Sequence, residues 1–202
     1  MQVEAKRKMT LNQGSAPHDL DELILVTRSD EETRELGRAI GEAVDASLVI
    51  ALHGDLGAGK TTLTQGIAAG LGVTDRVTSP TFTLVSEHLG RKGIRLLHVD
   101  SYRLGDSSQA AQREARTFGM EEILEQAEAP VSGPGPAVTV VVIEWAERLA
   151  DLLPPDHLTI HLDHLPDEPE SRLLRLLARG PRSRALLRRV AQVWTPRRAE
   201  PL

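Results

Sequence analysis

Apolar and polar positions along the 202-residue chain recur with two periods, and the changes between them mark its elements. ELILVT (22–27) is a short β-branched run and predicts a strand. In SDEETRELGRAIGEAV apolar residues return at helical spacing, with Ser29 or Asp30 as the cap and acids in the first turn. SLVIALHG (47–54) reads as a buried strand closing on glycine, and KTTLTQGIAAGL (60–71) as a helix ended by Gly72. TFTLVSEHLGRKGIRLLHVD (81–100) predicts a hairpin around GRKG. EARTFGMEEILEQA (114–127) predicts one helix, followed by a Pro/Gly loop over 128–137. VTVVVIEW (138–145) is the most strand-like run, a short helix follows to Leu153, and HLTIHLDHL (157–165) alternates as a strand does. The segment 170–194 fits two readings: helix-spaced leucines throughout, or one strand up to Gly180 and then a helix. Strands alternating with helices predict an α/β fold, the hairpin adding an antiparallel part to a mainly parallel sheet.

Composition narrows the class. With 40% hydrophobic and 26% charged residues, the chain matches a globular protein of one domain. It has no cysteine, which removes disulfides, thiolate metal sites and thiol chemistry. No apolar stretch approaches the roughly 18 residues of a membrane span. The first twenty residues lack the apolar core of a signal peptide, so 1–20 reads as a leader on a cytoplasmic protein. The domain proper is expected over 21–180, with a basic helix and tail over 181–202. Charge is uneven: the net is -5, yet from Glu170 onward nine arginines face two glutamates. Such an end suits a polyanionic partner, or, more simply, a solvated arginine face.

Candidate chemistry begins at GDLGAGKTT (54–62). Gly54, Gly59, Lys60 and Thr61 fit G-x-x-x-x-G-K-[ST] at every fixed position, between an expected strand and an expected helix. Glycines let the backbone wrap round phosphate oxygens with several N–H groups pointing inward, and the helix start adds its positive end. Lys60 would reach the outer phosphates and the Thr61 hydroxyl would ligate magnesium. A P-loop usually draws a carboxylate from a neighbouring strand end. IRLLHVD ends in Asp100 and VTVVVIE in Glu144, so both acids could face the phosphates, one at the metal and one polarising water.

In SPTFTLV (79–85), Pro80 sets its own φ and keeps Ser79 out of the helical region. The segment is then expected to enter a strand in a set pose, with Thr81 or Thr83 sensing the outer phosphate or its metal. Three of the five aromatics, Phe82, Tyr102 and Trp145, fall in these segments, where stacking or water exclusion would use them. Neither the N-K-x-D nor the D-x-x-G signature of GTPases occurs, which favours ATP over GTP.

GDLGAGKTT, SPTFTLV, HVDSYRL and IEW, in that order and spacing, resemble the TsaE (YjeE) family of bacterial ATPases, over roughly Val26 to Arg172. The resemblance implies a P-loop NTPase-like three-layer fold with a mixed, mainly parallel sheet. It implies slow ATP hydrolysis, with magnesium, in support of threonylcarbamoylation of adenosine in tRNA. The partners it implies are TsaD, which transfers the group, and TsaB, with tRNA reached through the complex. Carried onto this chain, it implies nucleotide contacts at Asp30 and Thr33, and along the loop at Asp55, Leu56, Gly57, Ala58, Gly59, Lys60, Thr61 and Thr62. It adds Trp145 and Arg172. Magnesium falls to Thr61, Asp100 and Glu144, and catalysis to Lys60, Asp100, Glu144 and Thr81. After Glu170 the family expects a strand, against the helix-spaced leucines seen here. Two other readings compete: a small-molecule kinase on the same loop, which needs an arginine-bearing lid, and a nucleotide sensor without turnover.

Overall fold

Two apolar runs, LVIAL (48–52) and VVVI (140–143), form the middle of the sheet, because only a strand covered on both faces has no need of polar alternation. A computed structural model describes residues 20–105, 107–128 and 138–194. The leader up to residue 19, the Pro/Gly loop from residue 129 and the tail from residue 195 lie outside the described residues. In chain order the elements are β1 (Glu22–Thr27), α1 (Asp30–Ala43), β2 (Leu48–His53), α2 (Lys60–Gly70), β3 (Val85–Leu89) and β4 (Ile94–Asp100). There follow α3 (Ser108–Thr117), α4 (Met120–Glu128), β5 (Val138–Glu144), a 3-10 segment (Ala146–Leu152), β6 (His157–Leu165), β7 (Glu168–Ala178) and α5 (Pro181–Val193).

The seven strands form one sheet in the order β1-β7-β6-β2-β5-β4-β3. The central strands β6, β2, β5 and β4 are parallel, while β1, β7 and β3 pair antiparallel at the flanks. One face is covered by α1, α2 and α5, which bury Leu36, Ile40, Leu63, Ile67 and Leu187 against it. The other face packs α3, α4 and the 3-10 segment over Val49, Ala51, Val141 and Ile143. This is the three-layer α/β fold that the sequence predicts. Among the described residues no helix is long and apolar enough to cross a membrane.

Helices α1 and α2 meet through glycines. A Cβ on Gly41 would lie 2.2 Å from the Ile67 carbonyl oxygen, and one on Gly66 2.1 Å from that of Arg34. Only residues without side chains let the two backbones approach so closely. The start of α1 is thereby locked beside the start of α2, where the glycine loop ends.

Two expectations change and one ambiguity is resolved. The helix expected over 114–127 is two helices, because Gly119 adopts a left-handed φ of 76° between α3 and α4. The strand expected to follow Pro80 directly begins only at Val85. The Pro80 carbonyl accepts from the N–H groups of Thr83 and Leu84 at 3.0 and 2.7 Å, so a turn precedes the strand. The ambiguous 170–194 segment is a strand and then a helix, as the second reading had it. Leu174 and Leu176 face the core while Arg175 faces out, because pairing with both β1 and β6 overrides the helical spacing.

Candidate functional site

The carboxyl ends of β2, β4 and β5 meet on one rim, with Asp100 opposite Glu144 and Leu52 opposite Glu144 in the strand registers. The glycine loop rises from β2 at this rim. Gly54, Gly57 and Gly59 all have positive φ, at 140°, 80° and 98°. Gly54 is also required by contact, since a Cβ there would stand 2.4 Å from the Leu162 carbonyl oxygen on β6. Gly59 precedes α2 with no side chain capping it. The first N–H groups of α2 therefore open onto the rim, the usual arrangement for receiving an anion.

Lys60 lies almost fully buried within this loop. Its ammonium donates to the carbonyls of Gly54 at 2.6 Å and Asp55 at 2.8 Å, and sits 3.6 Å from the centre of the Trp145 ring. Burial holds its pKa below the ordinary lysine value, outweighing the pull of Glu144, Glu147, Asp100 and Asp55. Trp145 takes this position through a left-handed backbone, φ 61°, and packs against Tyr102 at 4.9 Å between ring centres with the rings tilted by 44°. Ser101 ties this turn down, donating to the carbonyls of Glu144 and Trp145.

The two strand-end acids have different neighbours. Glu144 Oε2 accepts from the Thr61 hydroxyl at 2.9 Å. Its Oε1 lies 2.8 Å from His98 Nε2 and 3.4 Å from the Thr64 hydroxyl. Asp100 Oδ2 accepts from Ser79 and, at 2.7 Å, from Thr81, while Oδ1 accepts from the Tyr102 N–H at 2.9 Å. Asp100 thus holds the Ser79–Thr83 segment, whose end is marked by Leu84 at φ 65°. Of the three aromatics expected at the rim, Tyr102 and Trp145 form its wall, whereas Phe82 is 83% exposed beneath the Arg103 guanidinium.

Thr33 is buried at the start of α1, its hydroxyl bonded to that of Thr27 at 2.7 Å, and its methyl group lies beside Gly59. Arg172 on β7 donates to the loop carbonyls of Ala58 and Gly57, at 3.2 and 3.3 Å, and to those of Pro169 and Ser171. In this state it braces the glycine loop from behind. Ala58 is buried, Thr62 half-buried, and Asp30, Asp55, Leu56 and Gly57 are exposed. The rim also holds residues that spacing did not single out. His98 and Thr64 touch Glu144, and Glu147 lies 3.3 Å from His53, the last residue of β2. Burial raises the Glu147 pKa, but the His53 hydrogen bond, its own backbone N–H and the charges of His53 and Lys60 bring it below the usual value. The alternation His98–Asp100 along β4 was the available signal for His98, since residues two apart share a face.

Hard oxygen donors from Thr61, Asp100 and Glu144 suit magnesium, which is held by one or two carboxylates and completed by substrate phosphates. Among the described residues no group of three or more His, Cys, Asp or Glu could hold a metal alone.

The family described as threonylcarbamoyl adenosine biosynthesis protein TsaE matches residues 27–173. Curated relatives of the same description include one from Treponema pallidum, 39% identical over 142 residues, covering 70% of this chain and 92% of the relative. One from Nostoc is 40% identical over 131 residues, covering 64% of this chain and 72% of the relative. One from Bacillus subtilis is 35% identical over 143 residues, covering 70% and 78%. Among solved structures, the crystal structure of Bacillus subtilis YdiB superposes with a TM-score of 0.62 at 28% identity, over 87% of this chain and 97% of that one.

Proposed function

From the premise that the chain belongs to the TsaE family, and so to tRNA threonylcarbamoyladenosine biosynthesis, we propose that it is a magnesium-dependent P-loop ATPase. Its cycle drives turnover of a TsaD–TsaB complex in the cytoplasm, with tRNA engaged through that complex. One observation carries the reading. The hydroxyl that would ligate the metal, Thr61 Oγ1, and the strand-end acid Glu144 lie 2.9 Å apart beside a buried lysine that is bonded to its own loop.

Every one of these groups is occupied by a partner that a triphosphate can replace. Lys60 leaves the Gly54 and Asp55 carbonyls for the outer phosphates, and the free N–H groups of α2 receive the phosphate oxygens. Four acids surround Lys60, so the rim is electronegative and a bare triphosphate would be repelled. Magnesium held by Thr61 and the strand-end acids would offset that repulsion by neutralising charge on the phosphate oxygens. Glu144 then orients and polarises the attacking water, while Thr81 and Ser79, released from Asp100, follow the outer phosphate as a switch. Trp145 shields the Lys60 ammonium from water.

The kinase reading needs an arginine-bearing lid. In the arginine-dense C-terminal stretch, Arg172, Arg175, Arg182, Arg184 and Arg189 are instead bonded within the fold. The experiment is Glu144→Gln in the full chain, with the TsaD and TsaB proteins and ATP. ATP affinity by calorimetry should stay within about threefold while turnover falls roughly a hundredfold. Undiminished turnover removes Glu144 from the mechanism, and phosphorylation of a small acceptor by the isolated chain returns the kinase.

A further inference from the structure

His98 is fully buried on β4, on the face that α2 covers, two residues before Asp100. Its Nε2 lies 2.8 Å from Glu144 Oε1, while its Nδ1 is buried with no hydrogen-bond partner. A carboxylate only accepts, so the ring proton belongs on Nε2. A proton on Nδ1 would be stranded at a cost that burial makes severe.

Glu144, itself only 2% exposed, has two close donors: Thr61 on Oε2 and His98 on Oε1. They are not equivalent. Thr61 is the group that the ATPase reading turns towards the metal and phosphates. Once it turns, the remaining hydroxyl, Thr64, stands at 3.4 Å, and among the described residues His98 is the one close side-chain donor left. Resting on that reading, we propose that His98 is a positioning residue: its Nε2–H fixes Glu144 by Oε1, so that Oε2 stays aimed at the reacting phosphate after Thr61 is taken over. A single strand then sets both acids, carrying Asp100 itself and holding Glu144 through His98. The unpaired Nδ1 fits this role. An imidazole with one nitrogen buried and unsatisfied is a poor core filler, and a leucine would pack there without that penalty.

The test has two parts. In the nucleotide-free, 15N-labelled full chain, long-range 1H–15N spectra should show a proton on His98 Nε2. A ring protonated at Nδ1 alone, with no proton on Nε2, overturns the proposal. Next, His98→Gln keeps an N–H near the Nε2 position, and His98→Leu has none. With the TsaD and TsaB proteins present, H98L should lower kcat about ten- to a hundredfold, with the Kd for ATP unchanged within about threefold. H98Q should recover most of kcat. H98Q as slow as H98L, or a Kd that worsens as far as kcat falls, overturns it. If even the unaltered protein turns over no ATP, the ATPase reading fails, whereas the spectra still decide whether His98 donates to Glu144.

Discussion

Charged side chains cluster in two places, buried at the rim above β2, β4 and β5 and partly exposed at the corner formed by β7 and α5, and they are satisfied in opposite ways. At the rim, Lys60 rests on the Gly54 and Asp55 carbonyls, Thr61 on Glu144, and Ser79 and Thr81 on Asp100. These are pairs between groups to which the proposed ATPase reading gives other partners. At the corner, Arg182 joins Asp156 to the carbonyls of Ser47 and Ala127, and Arg189 joins the Ala43 carbonyl to Asp45. Arg184 pairs with Asp21 and Arg175 with Glu22. These partners lie at strand ends and helix ends of the fold. The arginine-dense stretch that looks on paper like a polyanion site therefore staples the flank of the sheet, whereas under the proposed ATPase reading the few charges at the rim exchange partners.

Lys60→Ala breaks the rim side of this contrast most strongly. Losing the one lysine over the phosphates should cost roughly 2–5 kcal/mol of ATP binding, about thirtyfold or more in Kd, by calorimetry. Stability against urea should hold or rise, because burial already disfavours the charged ammonium in the free protein. The same lowered pKa has a pH signature. Lys60 sheds its proton at a lower pH than an exposed lysine, so ATP affinity should begin to fall with rising pH before the ordinary lysine range. A profile flat up to about pH 10 would mean that another group supplies the cation.

How much of this was legible beforehand differs by region. The loop from Gly54 to Thr62 and the acids at the ends of two apolar runs are visible in the chain, because each depends on local spacing. The Glu144–Thr61 and Glu144–His98 contacts are not, since they follow from parallel pairing of β4 with β5 and from the seating of α2 above them. GRAIG and GIAAG likewise show their glycines openly, yet those glycines matter only because α1 and α2 are neighbours. At the corner the local signal misled. Helix-spaced leucines in 170–178 form a strand because β1 and β6 each supply a ladder there. The arginines' partners, Asp21, Asp45 and Asp156, lie far away in sequence.

Asp156→Asn sharpens the corner side. Asp156 accepts from the N–H groups of Arg182 and Ser183 at 2.8 and 3.1 Å and from the Ser183 hydroxyl at 2.8 Å, capping α5 from outside its own chain segment. Gly180 allows this, since a Cβ there would stand 2.5 Å from the Asp156 carboxyl carbon. Burial raises the Asp156 pKa, but the bonds from Arg182 and Ser183 outweigh it and bring it below the ordinary 3.8. A carboxyl lowered on folding adds stability above its unfolded value and loses it as pH falls through the folded one. The variant should therefore lose about 1–2 kcal/mol in urea unfolding at neutral pH, and the gap to the parent should close in acid below pH 3.8. ATP affinity should not change. A loss of affinity matching Lys60→Ala would mean that the two regions are coupled.

The smallest expected effect is the most direct check on what the arginines are for. Arg184 and Arg189 lie on the outer side of α5, each paired with an aspartate more than half exposed, Asp21 and Asp45. Exposed pairs of this kind contribute up to about 1 kcal/mol and weaken with salt. Arg184→Ala should thus shift the urea midpoint barely at all, and Arg189→Ala slightly more, since Arg189 also donates to the Ala43 carbonyl at the end of α1. If both serve only to hold the flank, turnover with the TsaD and TsaB proteins and tRNA should be unaltered at every salt concentration. If turnover falls severalfold while the urea midpoints stay put, these side chains leave their aspartates for an anionic partner. The corner would then hold exchangeable charge as the rim does.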